Sequence, residues 1–230
     1  AVKERIIRLE KALVELDKIR ADRRGEEKKA KARVSETDPE SRIMKQGNGG
    51  FAPCYNAQIS TDSAYGVIVA TDVSQAANDK QELVPAVERI EKNMENKPEQ
   101  IVVDEGYTSR ENIIAIADTE IEMIGSIGDG KAQSIGQFER RGVAAEYRPE
   151  AFVYDAEKNC YQCPKGCTLN LFGTETRPGC TCHRYRASAE DCLACSEKML
   201  CSPQTENSGR MITRTVEDPR VVDFRKKMES

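Results

Sequence analysis

Residues 78–112 constrain the fold most strongly, because they read as a helix, a short buried strand and a second helix. The apolar residues 101–103 predict the strand, which ends on Asp104. In α/β proteins the carboxyl ends of core strands carry metal-binding and catalytic carboxylates, so Asp104 is the first candidate for chemistry. The core-facing residues of the first helix recur at helical spacing: Leu83, Val87, Ile90 and Met94.

Asp104 also has a structural interpretation, because Asp is common at turns and helix starts. Thr108 and Glu111 have the spacing of a capping box that opens a helix over residues 110–118. Asp104 is therefore not needed as the cap of that helix. Gly106 permits a sharp turn that leaves the Asp104 carboxylate at the rim of the sheet.

The predicted core has the element order β-β-α-β-α-β. Alternation over residues 55–61 predicts a strand that buries Tyr55, Ala57, Ile59 and Thr61 on one face. A turn over residues 62–66 leads to a second strand over residues 67–73, so these two strands form a hairpin. Asp79 with Glu82 is predicted to cap the following helix.

Six short motifs follow one another along the chain, with a polar, glycine-containing linker over residues 35–50. They are residues 37–44, 50–51, 55–58, 67–70, 78–79 and 103–107. In order and spacing they resemble the DDE-type transposases of bacterial insertion sequences, in the IS1182-like group. The resemblance covers most of the chain from about Thr37 onward, and it implies a ribonuclease-H-like α/β core.

The resemblance also implies a metal-dependent reaction. In that family three carboxylates hold two Mg²⁺ or Mn²⁺ ions about 4 Å apart, which clamp the attacking and leaving oxygens of a phosphodiester displacement. Asp104 corresponds to the second carboxylate. The other two would lie before Ala1 and after Ser230, so we expect an internal or truncated fragment that is inactive alone. Asp62 and Asp72 do not match metal positions and are predicted as turn and strand-end residues.

Eight of the nine Cys lie between residues 154 and 201. Spacings such as Cys-x2-Cys allow a turn to present two thiolates to one tetrahedral ion, which indicates structural Zn²⁺. Similar positions in the family favour a site of Cys163, Cys192, Cys195 and Cys201. A second site could use Cys160, Cys167, Cys180, Cys182 and His183, and the spacing leaves one ion or two open. Free buried thiols, a disulfide knot or an iron–sulfur cluster are the alternatives.

The N-terminal residues 1–34 carry twelve Lys or Arg against seven Asp or Glu. An apolar stripe at helical spacing predicts an amphipathic helix. Its mixed charges are typical of a helix face that is exposed to solvent. The alternative is that the face between Arg20 and Arg33 contacts phosphate groups. Gly25 interrupts the pattern, so a second helix or a flexible connection follows. The stripe consists of Ile6, Leu9, Leu13 and Leu16.

Composition limits the class of protein. The charged fraction is 32% and no apolar run reaches 18 residues, which excludes a membrane span and predicts a soluble, intracellular protein. The resemblance to DNA transposases implies a cytoplasmic, nucleoid-associated protein. The net charge of −4 gives no overall basic footprint for DNA. His183 is the only His, beside Cys182 in a Cys-rich segment, which argues against a Ser-His-Asp or Cys-His hydrolase.

The sequence as a whole predicts four segments. Residues 1–34 form a basic helical segment, 35–150 a partial ribonuclease-H-like core, 151–205 a zinc-binding Cys-rich insertion and 206–230 a C-terminal linker. The predicted function is DNA transposition by metal-dependent cutting and joining, with DNA as partner and a homo-oligomer as the complete form. The alternative is a non-catalytic zinc-ribbon module that binds nucleic acid or protein, with Asp104 as a cap.

Overall fold

The computed structural model describes residues 2–128, 130–205 and 207–229. The chain divides into two compact units, Ala1–Gly125 and Ser126–Ser230, which are described separately. Within the described ranges no helix combines the length and apolar character needed to cross a bilayer.

The first unit begins with the predicted amphipathic helix, α1 (Val2–Asp22). Ala12 is its buried residue, whereas Leu13 of the predicted apolar stripe is 62% exposed. A short second helix, α2 (Glu26–Ala30), follows Gly25, whose φ of 89° suits glycine. Most of the stripe on α1 is therefore accessible.

A β-hairpin occupies part of the segment predicted as a linker. Strands β1 (Arg42–Lys45) and β2 (Phe51–Cys54) pair antiparallel. The Arg42 guanidinium donates a hydrogen bond of 2.7 Å to the Glu15 carboxylate of α1, and both side chains are largely shielded. This charge-assisted contact connects the hairpin to the N-terminal helix.

The predicted hairpin over residues 55–73 is present as β3 (Asn56–Thr61) and β4 (Ile68–Ser74), but its predicted buried face is wrong. Ile59 is 63% exposed, whereas Gln58 on the opposite face is 4% exposed. Helix α3 (Leu83–Met94) contacts both strands and covers the face with Gln58.

Asp72 lies on this covered face, where its carboxylate forms an ion pair with Arg89 of α3. It is therefore a residue inside β4, and its predicted place at a strand end is wrong. Asp62 does occupy the predicted turn, since its carboxylate accepts a hydrogen bond of 2.8 Å from the Tyr65 backbone N–H.

A βαβ unit completes the first half of the chain. Strands β5 (Gln100–Val103) and β6 (Glu122–Gly125) are parallel and are joined through α4 (Arg110–Ala117). The predicted order β-β-α-β-α-β is thus observed from β3 to β6. In the described residues the β3–β4 and β5–β6 ladders share no hydrogen-bonded edge, so one continuous ribonuclease-H-like sheet is not shown.

The second unit is built on a five-stranded antiparallel sheet. Leu169 and Tyr185 are fully buried in its core, together with Phe152, Ala187 and Ile212. Part of the predicted C-terminal linker belongs to this unit as its edge strand and last helix. The strands are β7 (Val153–Asp155), β8 (Cys160–Gln162), β9 (Thr168–Arg177), β10 (Cys180–Arg186) and β11 (Met211–Glu217). Their order in the sheet is β11-β10-β9-β8-β7. The α-helices are α5 (Gly130–Arg140), α6 (Ala189–Leu193), α7 (Lys198–Cys201) and α8 (Pro219–Glu229).

Candidate functional site

Asp104 lies where the sequence predicts it, directly after the last residue of β5. Its backbone is extended, and its side-chain Oδ1 accepts a hydrogen bond of 2.9 Å from the Gly106 N–H in a 3-10 turn. Helix α4 is capped by Ser109 Oγ, which accepts from the Asn112 N–H at 3.2 Å. Asp104 is thus not the cap of α4, although one of its oxygens shapes the strand-end turn. Its side chain is exposed.

Asp79 lies near Asp104 in the structure, and the sequence analysis did not predict this proximity. It was predicted to cap α3, but the cap position of that helix is Glu82, without a side-chain capping bond. Asp79 Oδ1 instead accepts two amide hydrogen bonds, at 2.7 Å from Asn56 Nδ2 and at 2.8 Å from Gln58 Nε2. The segment before α3 is thereby attached to β3.

Tyr107 connects this network to the turn after β5. Its hydroxyl donates a hydrogen bond to Gln58 Oε1. Burial raises the pKa of Tyr107, and the negative charges of Asp79 and Asp104 raise it further. Asp79 and Asp104 are therefore both near enough to Tyr107 to act on its ionisation.

Gly106 shows how closely the two carboxylates approach. A Cβ atom at this position would lie 2.9 Å from Asp79 Oδ2 and 3.1 Å from Asp104 Oδ1. These two oxygens are therefore at most about 6 Å apart. A residue with a side chain would force one carboxylate to move.

The pair supplies hard oxygen donors of the kind that Mg²⁺ and Mn²⁺ prefer. Mg²⁺ usually keeps several waters and binds proteins through one or two carboxylates, so two carboxylates fit it. In the part of the chain that the structure describes, no three His, Cys, Asp or Glu side chains are grouped closely enough to hold a metal ion. This holds for the carboxylates of the first unit and for the cysteines of the second alike.

The four Cys predicted as zinc ligands line one small cavity in the second unit. Its volume is about 30 Å³, which is sufficient for an ion or a water molecule. A fifth thiol, which the family positions did not select, lines the same cavity. The five residues are Cys163, Cys167, Cys192, Cys195 and Cys201.

Two sulfur atoms at this cavity accept backbone hydrogen bonds. Cys163 Sγ accepts from the Cys167 N–H at 3.2 Å, and Cys192 Sγ accepts from the Arg210 N–H at 3.3 Å. Gly166, with φ of 84°, closes the first of these turns. Burial, with the neighbouring Cys163, raises the pKa of Cys167 to about 11. Binding of a metal here would therefore displace thiol protons.

The remaining residues considered for a second metal site are not brought together in the same way. Cys180 and Cys182 are buried on one face of β10. His183 is the next residue along this strand, so its ring points to the other face, where Nδ1 lies 3.1 Å from Thr174 Oγ1. Cys160 is buried in β8. The structure therefore does not place His183 and Cys182 on the same face of β10.

The comparisons with known proteins connect these features to a family. The family model for the transposase DDE domain matches residues 11–163, well over half of the chain. The chain belongs to the transposase DDE domain family. Searches of curated proteins and of solved structures found no match.

Membership of this family indicates transposase function, with DNA as the partner and divalent metal ions as the usual cofactors. The match includes both Asp79 and Asp104, whereas it ends at Cys163. Three of the four predicted zinc ligands thus lie beyond the matched transposase region.

Proposed function

We propose that this transposase domain takes part in cutting and joining DNA with Mg²⁺ or Mn²⁺, and that Asp104 is one of the metal-binding carboxylates. The observation that carries the proposal is the position of Asp104 at the exposed end of β5, with an oxygen of the Asp79 carboxylate at most about 6 Å from its own. When bound, the divalent ions stabilise the charge that develops on the oxygens of the phosphodiester exchange.

The chain's own groups prepare this site for a cation. Asp104 is exposed, which leaves room for DNA and for the waters that Mg²⁺ retains. The negative charges of Asp79 and Asp104 favour the approach of a divalent cation to this end of β5. We propose that the mixed-charge N-terminal helices supply basic residues that contact DNA phosphates. The protein would then be associated with the nucleoid and act as a homo-oligomer. Within the transposases we assign it to the IS1182-like group, with a ribonuclease-H-like core.

Asp104→Asn tests the proposal, since it keeps the shape of the side chain and removes its charge. We expect loss of Mn²⁺ binding at this site with little change in melting temperature and, in a protein that carries this domain with all three catalytic carboxylates, loss of strand transfer in a transposition assay. Asp62→Asn is the matched control, because Asp62 also accepts a backbone hydrogen bond in a turn but lies in the β3–β4 loop. Transposition at the wild-type rate by Asp104→Asn would refute the proposal and favour the non-catalytic zinc module.

We also propose that the cysteine cavity holds a structural Zn²⁺, with Cys163, Cys192, Cys195 and Cys201 as ligands. Cys163 lies in a short turn, Cys192 and Cys201 lie in short helices, and N–H donors point at two of the sulfurs. Cys167 is the one alternative ligand that lines the same cavity.

Arg210 supports a negatively charged ligand set. Its side chain is 6% exposed, lines the cavity and donates to the Tyr147 carbonyl at 3.0 Å. Its Nε has no hydrogen-bond partner among the described residues, and its guanidinium lies over the rings of Phe138 and Phe152. A buried cation is costly unless it is compensated, and a zinc ion with four thiolates has a net charge of −2.

Metal analysis of the purified chain tests the zinc proposal. We expect one equivalent of zinc, its loss in Cys192→Ser, and its retention in Cys54→Ser, a half-buried thiol of the other unit. Removal of zinc by a chelator should lower the melting temperature of the second unit. Absence of zinc after expression in zinc-replete medium, or an iron–sulfur absorption spectrum, would refute this assignment.

A further inference from the structure

We infer that α1 pairs with α1 of a second copy of this chain as a parallel two-stranded coiled coil, an inference that rests on the homo-oligomer of the proposed function and names its surface. The observation is an apolar stripe that stays exposed on α1. Val2, Ile6, Leu9 and Leu13 lie on this stripe and are 75%, 50%, 37% and 62% exposed. Single exposed apolar side chains are ordinary, but a contiguous row of them marks an interaction surface.

The spacing of the stripe is that of a coiled coil. Its members follow one another at alternating steps of four and three residues: Val2, Ile6, Leu9, Leu13 and Leu16. This is a heptad repeat abcdefg, with Ile6 and Leu13 at position a and the other three residues at position d. A β-branched residue at a, with Leu at d, favours two parallel strands. The next a position is Arg20, where the apolar seam ends.

The contacts that the chain itself makes with α1 leave the seam open. Ala12 is buried and Glu15 binds Arg42, but these residues occupy positions g and c, outside the seam. A groove of about 500 Å³ lies between α1 and residues 32–36. The apolar residues that line it include Leu9, Leu13, Leu16 and Val34. A second helix laid on the seam therefore has an apolar groove to enter.

The charges beside the seam are complementary to themselves in a parallel pair. Arg5 at position g and Glu10 at position e are both exposed. In a parallel two-stranded coiled coil, a g residue faces the e residue of the next heptad on the other helix, and such pairs set orientation. Arg5 of each copy then faces Glu10 of the other, so the two-fold axis makes two contacts of opposite charge. Antiparallel pairing over the full seam would instead set Glu10 against Glu10 at its centre.

The test is sedimentation equilibrium of the full chain at about 1 to 100 µM, where we expect a dimer. Leu13→Glu places a charge in the seam at little cost in helix propensity, so the dimer dissociation constant should rise at least about tenfold. Val14→Glu is the matched control, because it adds the same charge at the next residue, which is 57% exposed and lies off the seam. It should dimerise like the wild type, and circular dichroism should show the same helix content in both variants.

A charge exchange tests the orientation. Glu10→Arg sets two positive charges against each other at each contact and should weaken the dimer about threefold. Adding Arg5→Glu restores opposite charges and should return the dissociation constant to the wild-type value. An antiparallel dimer would show no such recovery, and that result would overturn the parallel pairing.

Two further outcomes would overturn the inference. A dimer that Leu13→Glu leaves unchanged would place the contact elsewhere and keep the proposed homo-oligomer. A wild-type chain that stays monomeric at about 100 µM would overturn the homo-oligomer of this chain as well. Neither outcome touches the proposed role of Asp104, which is tested by Mn²⁺ binding.

Discussion

Leu169→Ala gives the sharpest test of how the second unit is stabilised. Leu169 on β9 is 0% exposed and packs with Phe152, Tyr185 and Ile212. Truncation of a fully buried Leu removes its transfer free energy and leaves a cavity, which together cost about 3 kcal/mol. For a unit of roughly 100 residues, about 4–8 °C is lost per kcal/mol, so the melting temperature should fall by roughly 12–24 °C.

Leu171→Ala is the matched control, because it makes the same change two residues along the same strand. Leu171 is 43% exposed and should cost only about 1 kcal/mol. Near-ultraviolet circular dichroism reports this core directly, since the rings of Tyr154, Tyr161 and Tyr185 have centroids 5.0 to 6.0 Å apart. Equal losses for the two variants, or a loss below about 1 kcal/mol for Leu169→Ala, would refute the burial argument.

Three further predictions follow from local geometry. Gly209→Ala should strongly destabilise the second unit in urea unfolding, because its Cβ would overlap the Ala187 carbonyl; a stable variant would contradict this packing. Hydrogen bonds from Arg220 lower the pKa of Asp218 to about 2. The stabilisation from the contact between Asp218 and Arg220 should be complete at pH values above the ordinary pKa of Asp, and it should be lost as the pH falls through about 2. An NMR titration should show that the pKa of Asp218 rises in Arg220→Ala. Ser109→Ala removes the cap of α4 and should cost about 1 kcal/mol, measured by denaturant unfolding.

The order of elements in the first unit was predictable because each element has its own periodicity. The apolar spacing of α3 and the short apolar run of β5 are local signals, and both survive in the structure. Leu83 and Val87 are buried as predicted, whereas Met94 at the end of α3 is 54% exposed. The spacing of apolar residues shows which face of a helix is buried, but tertiary contacts decide how far along the helix that burial extends.

The candidate site was only partly predictable for the same reason. Asp104 could be found because it follows a recognisable strand. The spacing of the cysteines indicated which segment carries the cavity. It could not show that Cys167 lines this cavity while Cys160, Cys180 and Cys182 do not, because separation along the chain does not give distance in space. Asp72 was misplaced because its partner, Arg89, comes from an element seventeen residues away.

The wrong face predicted for β3 and the missed role of Asp79 have a common cause. Alternation of apolar residues predicts that Ile59 is buried, yet Gln58 is buried instead, because its amide bonds to Asp79 and accepts from Tyr107. A buried Gln is stable only when such partners satisfy it. The sequence rule fails on this strand because the covered face carries a hydrogen-bonded polar network around Asp79, whose partners come from segments distant in the chain.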